Sequence, residues 1–236
     1  LYEKHKAITY PRTDSKALPE DYGETCREII PLLPHEYKVH SDKIISENWV
    51  DVKNKKIFDN KKISDHFAII PTNNIPKSLD EYERRVYNLI VKRFLAVFYP
   101  PAQWDITTRL SKLGNHTFKT EGKVLVEPSW LSIYGKDQVS AENLVPLVEQ
   151  DENTAKRIDS SIESDETKPP PRYTEATLLS AMEGAGKLVE DEELAEALKE
   201  KGLGTPATRA STIEHLIKEK YLRRETNQLH PTIKGE

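Results

Sequence analysis

The chain has 236 residues, with 35 Lys+Arg against 39 Asp+Glu for a formal net charge of −4, one cysteine and a mean hydropathy of −0.67. No stretch approaches the roughly 18 uninterrupted apolar residues of a membrane-spanning helix, and a single thiol, Cys26, excludes an intrachain disulfide framework and a cysteine-based zinc site. The length accommodates one to two domains of about 150 residues each, and charge is unevenly spread: 22 basic against 18 acidic residues in 1–136, 3 against 9 in 137–168, and 10 against 12 in 169–236.

The basic excess of the front segment suits a polyanion and suits ordinary solvated surface equally, so charge alone does not decide between them. In chain order, Leu1, Lys4 and His5 share a helical face. That suggests the last turns of a helix over residues 1–8, stopped before Pro11. Leu18 to Leu33 reads as a short helix closed by Pro31 and Pro34, and the polar, lysine-rich 44–62 as a loop or hairpin. Ile63 to Thr72 forms a compact unit. Ser78 to Phe98 reads as a helix, with Ser78 and Glu81 as a capping box and an apolar stripe of Leu79, Tyr82, Val86, Leu89, Ile90 and Val97. Pro100-Pro101 stops it.

The period then changes to two. Trp104 to Leu110 and His116 to Val126 alternate as strands, with Ile106, Thr108 and Leu110 on one face and Thr107 and Arg109 on the other. Val139 to Ile162 is acidic and reads as two edge strands, and Lys168-Pro169-Pro170-Pro171 as a hinge. Helices are expected over Thr174 to Met182, over Asp191 to Lys201 with Gly202 as its C-terminal cap, and from Thr205-Pro206 to Lys220. Tyr221-Leu222 and Leu229-His230 then read as a two-stranded wing, giving a winged helix-turn-helix order. A generic helical hairpin is the plainer alternative.

Three segments carry residues suited to phosphate chemistry. In Ile8-Thr9-Tyr10-Pro11-Arg12-Thr13-Asp14-Ser15, the proline extends Tyr10, and an arginine two residues on falls on the same side of an extended chain. A phenol that attacks phosphorus needs help, and a guanidinium grips two phosphate oxygens at once. In Ile63 to Thr72, His66 beside Asp65 can donate to a phosphate oxygen. In Gly202 to Ala210, a glycine turn opens a helix whose first amides, with Thr205, Thr208 and Arg209, offer donors. Each has a bland counterpart: a core tyrosine, a structural histidine, a helix cap. Gly184-Ala185-Gly186-Lys187 lacks the spacing of a nucleotide loop, so no ATP site is expected.

Taken as an ordered set, Leu1 to Ser15, Asp65 to Thr72, Pro170-Pro171-Arg172-Tyr173-Thr174-Glu175-Ala176 and Gly202 to Ala210 resemble type IA DNA topoisomerases over nearly the whole chain. Thr205 and Arg209 favour the topoisomerase III branch, since the topoisomerase I branch usually carries Arg and Tyr there. The resemblance implies an α+β multidomain fold. A mostly helical, tyrosine-bearing domain with winged-helix-like character would occupy 1–98, a β-rich arch segment 99–168, and a winged helix-turn-helix-like domain that binds single-stranded DNA 169–236.

It further implies that Tyr10 forms a 5′-phosphotyrosine, that Arg12 contacts the scissile phosphate, and that His66 assists beside it. Arg172, Thr205, Thr208 and Arg209 would line the single-strand groove. Strand passage and resealing would need no ATP. Mg²⁺ would be held by a TOPRIM domain that is not found here: no Asp-x-Asp occurs, and Tyr10 stands close to the start. The chain then reads as a fragment, inactive alone, with no metal of its own. Single-stranded DNA and a helicase are the partners implied. A monomer with no membrane association is implied too, in a bacterial cytoplasm and associated with the nucleoid. The competing readings are a non-enzymatic winged-helix DNA-binding protein, a relaxase or tyrosine recombinase, and a structural adaptor. The first leaves the Tyr10 and His66 blocks unexplained. A relaxase would want a His-x-His cluster, and a recombinase several upstream arginines.

Overall fold

The structure is a computed structural model that describes residues 1–135, 164–189, 191–199 and 202–236. The chain separates into two compact units, Leu1–Ile158 and Asp159–Glu236. The acidic strands expected over Val139 to Ile162 lie outside the described residues.

The first unit opens on a turn. Residues 1–8 do not continue a helix: the amides of Lys6 and Ala7 donate to the carbonyls of Tyr2 and Leu1 at 3.1 and 3.0 Å, and Lys6 adopts φ +53°. A left-handed residue ends helical repetition, and the chain leaves extended. Ile8 then bridges Pro71 antiparallel, and Leu18 bridges Phe58 in parallel. The expected Leu18 to Leu33 helix is shorter, α1 at Gly23–Ile29 followed by a 3₁₀ turn at Ile30–Leu32. Pro31 sits in that 3₁₀ turn, where a missing N–H costs nothing. A helix the sequence did not announce, α2, spans Lys38–Ser46, and the rest of the lysine-rich segment forms turns rather than a hairpin.

α3 spans Glu81–Ala96 and begins later than expected. Its capping box is built by Asp80 and Glu83, not Ser78 and Glu81: the Glu83 amide donates to Asp80 at 2.8 Å and the Asp80 amide to Glu83 at 3.1 Å. Its buried face is Tyr87, Val91, Phe94, Leu95 and Ala96. Tyr82, Val86 and Leu89 of the expected stripe point outward, 78%, 50% and 63% exposed. The inward set joins Phe58, Ile30, Ile44, Val50, Pro71 and Cys26 in one core. The Val, Ile, Leu and Phe side chains of this set each contribute about 1.5–3 kcal/mol through burial. The Cys26 thiol lies fully inside that core, and desolvation pushes its pKa up to about 12.

The two strands that the alternation predicts form β1 (Gln103–Leu113) and β2 (His116–Glu127), and they pair antiparallel. Gly114 makes the two-residue turn at φ +59°, a conformation with no penalty for glycine. Register pairs Ile106 with Lys123, Thr108 with Glu121 and Leu110 with Lys119 on one face, and Thr107 with Gly122 and Arg109 with Thr120 on the other.

Among its described residues the second unit carries the α-helices α4 (Glu175–Glu183), α5 (Glu192–Lys199) and α6 (Arg209–Lys218), a 3₁₀ turn at Ala185–Lys187, and a ribbon of β3 (Leu222–Glu225) and β4 (Gln228–Pro231). Thr174 caps α4 reciprocally with Thr177. Gly202 at φ +62° follows α5, its amide closing onto Leu198 O at 2.8 Å. α6 begins at Arg209, after a turn over Thr205–Thr208, rather than at Pro206. Met182, Ile213 and Leu229 form a small core with Leu178, Leu179 and Ile217. Arg224 of β3 joins Glu175 of α4 and Glu214 of α6, so strand and helices are also tied at the surface.

Candidate active site

Two extended segments present the chemistry of the first unit, and hydrogen bonds stitch them together. The Thr9 amide donates to Ile70 O at 3.0 Å. The Thr9 hydroxyl donates to Ala68 O and accepts from the Ile70 amide, both at 2.9 Å. Thr13 Oγ1 donates to His66 O at 2.8 Å, Ser15 Oγ to Lys62 O at 2.8 Å, and Thr72 Oγ1 to Lys6 O at 2.6 Å. Small hydroxyl residues thus fasten the tyrosine segment to the histidine segment, and Tyr10 meets His66 as a consequence.

The two rings lie with centroids 4.2 Å apart and planes 40° apart. Tyr2 approaches Tyr10 edge-on at 5.4 Å, so the phenol is held between an aromatic edge and an imidazole face. Tyr10 is half-buried, and among the described residues no group hydrogen-bonds its hydroxyl. Arg12 is exposed, and among the described residues no carboxylate or carbonyl engages its guanidinium. Tyr10, Pro11 and Arg12 line a cleft of about 420 Å³ with Leu1, Tyr2, Glu3 and Lys4. Of the residues singled out in the sequence, Tyr10 and His66 are brought into ring contact, and Arg12 shares the cleft wall with Tyr10. The sequence reading gave no role to Tyr2, Thr9 or Thr13; Thr9 and Thr13 flank Tyr10 and Arg12 in the chain, and Tyr2 reaches Tyr10 from the preceding turn.

The cleft wall is braced from α3. Glu83 accepts from the Asp80 amide and pairs with Lys4 at 3.2 Å and His5 at 3.0 Å. That amide, then Lys4 and His5, hold the Glu83 carboxyl down to about 2. One carboxylate thus caps a helix and fixes the turn that precedes Tyr10.

In the second unit, Arg172 is exposed at the end of an extended proline run, and Tyr173 O accepts from the Leu229 amide of β4 at 2.7 Å. Thr205 and Thr208 are exposed and share a reciprocal contact, the Thr205 amide donating to Thr208 Oγ1 at 3.0 Å and the two hydroxyl oxygens lying 3.1 Å apart. Arg209 is placed differently from its neighbours: it is 4% exposed, and its guanidinium donates to Leu203 O and Gly204 O, each at 3.1 Å. Among the described residues, no group of three or more His, Cys, Asp or Glu side chains is arranged to hold a metal ion.

The sequence profile of the DNA topoisomerase family matches residues 1–236. The chain belongs to that family. It is 37% identical over 249 residues to DNA topoisomerase 3 of Bacillus cereus, covering 100% of this chain and 34% of that protein. It is 35% identical over 248 residues to DNA topoisomerase 3 of Bacillus subtilis, with the same coverage. Among solved structures, full-length topoisomerase I from Thermotoga maritima matches with a TM-score of 0.59 at 26% identity, over 98% of this chain and 33% of that one. The family is the type IA group that the four sequence blocks resemble. The chain spans about a third of the length of the relatives it matches. Its mixture of helices with small antiparallel sheets is similar to that of the type IA enzyme. No helix among the described residues is long and apolar enough to cross a membrane.

Proposed function

We propose that this chain is the tyrosine-bearing part of a type IA DNA topoisomerase of the topoisomerase III kind. The single observation that carries the reading is Tyr10 on a cleft wall with Arg12, its ring against His66 and its hydroxyl without a hydrogen-bond partner among the described residues. Tyr10 Oη attacks a phosphorus of single-stranded DNA as its proton leaves. The bond from phosphorus to the 3′ oxygen breaks, and that oxygen departs as a 3′-hydroxyl. Arg12 holds non-bridging phosphate oxygens and offsets the charge that builds on them. His66 donates beside the same phosphate. The phosphotyrosine ester retains the energy of the broken diester, so resealing is the reverse attack and needs no nucleotide.

In this reading residues 1–98 form the catalytic-tyrosine domain, 99–168 part of an arch, and 169–236 a winged-helix-like module. Arg172, Thr205 and Thr208, with Arg209 in the same block, serve a single-strand groove. Magnesium belongs to a TOPRIM domain elsewhere in the parent enzyme, which acts as a bacterial cytoplasmic, nucleoid-associated monomer with a helicase as partner. The chain alone does not relax supercoiled plasmid.

Tyr10→Phe in the complete parent tests the assignment. Denaturant trapping on a labelled single strand should recover a covalent adduct from the wild type and none from the variant, while strand binding stays close to wild type. An adduct from the variant would refute Tyr10 as nucleophile.

A further inference from the structure

The geometry points to Arg209 as a positioning residue: it holds the Gly202–Gly204 turn in the shape that presents Thr205 and Thr208 to a single DNA strand, and touches no phosphate itself. The proposal rests on reading the second unit as a strand-binding module. An arginine that grips phosphate is exposed with its fork open. Arg209 is 4% exposed, and Nε and Nη2 donate to two successive carbonyls, Leu203 O and Gly204 O, at 3.1 Å each. Only a planar guanidinium spans two such acceptors with fixed donors, while an ammonium is a point charge.

The turn that it grips needs holding. Gly202 and Gly204 both have positive φ, +62° and +71°. The Leu203 amide is drawn onto Met182 O at 2.7 Å, and a Cβ on Gly202 would stand 2.5 Å from the carbonyl oxygens of Met182 and Glu183. The carbonyls of residues 203 and 204 are the negative ends of peptide dipoles beside the start of α6. Covered by a guanidinium, they do not oppose an approaching polyanion, and the exposed hydroxyls of Thr205 and Thr208 become the groups that face it. The buried charge is thus spent on shape and on silencing acceptors next to the contact surface.

The test uses the complete parent enzyme and a fluorescent single-stranded oligonucleotide, titrated by anisotropy across a salt series. Arg209→Ala and Arg209→Lys should each weaken binding about tenfold, the scale of losing hydrogen bonds from a charged donor. The slope of log K against log salt should match wild type. Gly204→Ala, which leaves every charge in place but strains the turn, should give the same pattern, and it carries the test if the Arg209 variants do not fold. Cleavage at saturating oligonucleotide should equal wild type, with only the half-saturating concentration raised; a merely unfolded fraction would lower the maximum instead. A slope shallower by about 0.7 in Arg209→Ala is the signature of one lost phosphate contact on a single strand and overturns the proposal. Wild-type binding in Arg209→Lys or Arg209→Ala overturns it too. If the wild-type enzyme itself shows no salt-dependent binding, it is the strand-binding reading that fails, and the role of Arg209 with it.

Discussion

Thr9→Val is the sharpest probe of how the candidate active site is assembled. Valine keeps the branched shape and removes one hydroxyl, which makes two hydrogen bonds of 2.9 Å, donated to Ala68 O and accepted from the Ile70 amide. Ile70 is 4% exposed, so water does not readily replace that acceptor. At about 1 kcal/mol for each bond, the variant should lose about 2 kcal/mol. With a urea dependence of about 2 kcal/mol per molar, the unfolding midpoint should fall by about 1 M. The three tryptophans, Trp49, Trp104 and Trp130, all lie in the first unit, so their fluorescence reports that unit separately from the other. Thr13→Val is the control. Its hydroxyl also makes two bonds, but the one to His66 O at 2.8 Å is solvent-exposed and only the one from the Ser15 amide at 3.0 Å is part-buried, so its midpoint shift should be no more than about half as large. A Thr9→Val shift below about 0.3 M, or an equal shift in Thr13→Val, would refute the view that buried hydroxyl stitching sets the Tyr10–His66 geometry.

Gly202→Ala should destabilise the second unit by more than about 2 kcal/mol, since a left-handed φ and two carbonyl clashes at 2.5 Å coincide there; early proteolysis of that unit relative to the first would show it. Tyr87→Phe should be neutral or stabilise by up to about 1 kcal/mol, because the Tyr87 hydroxyl is buried with no hydrogen-bond partner among the described residues; a clear loss in urea titration would count against this. Glu83 is depressed from 4.5 to about 2 in the fold, so its contribution is complete above about pH 4.5 and disappears as pH falls towards 2. Thermal unfolding followed through that window should slope for the wild type, and Glu83→Gln should make the slope shallower, leaving the part due to Glu20, Asp59 and Glu121, whose carboxyls are also held low by hydrogen-bonded lysines.

The parts legible in the sequence were those with one dominant signal. The strands Trp104 to Leu110 and His116 to Val126 were readable because period-two alternation ran through both; their pairing and the turn at Gly114 came only with the structure. The Gly202 cap was readable for a similar reason. α3 was found but mis-phased: both Ser78/Glu81 and Asp80/Glu83 satisfy the capping spacing, and its apolar residues occupy two faces, so spacing alone could not say that Tyr82, Val86 and Leu89 face outward. α2 escaped because Lys38–Ser46 buries only Ser41 and Ile44 and gives little periodic signal. The helix expected over residues 1–8 failed because the left-handed Lys6 and its neighbour are fixed by long-range bonds, from the Thr72 hydroxyl to Lys6 O and from the Thr72 amide to Ala7 O, which no local pattern encodes. At the site, residue identity and order pointed to Tyr10, Arg12 and His66. Only three-dimensional packing distinguishes the open guanidinium of Arg12 from the enclosed one of Arg209.

Because the sole native sulfhydryl is sealed within the interior and resists ionisation near neutrality, the folded molecule is effectively blind to maleimides. A cysteine placed on the surface of each unit becomes the only reactive handle there. Dye or spin-label rulers can then measure the separation of the two units, with the wild-type background silent and no need to remove Cys26 from the packing it completes.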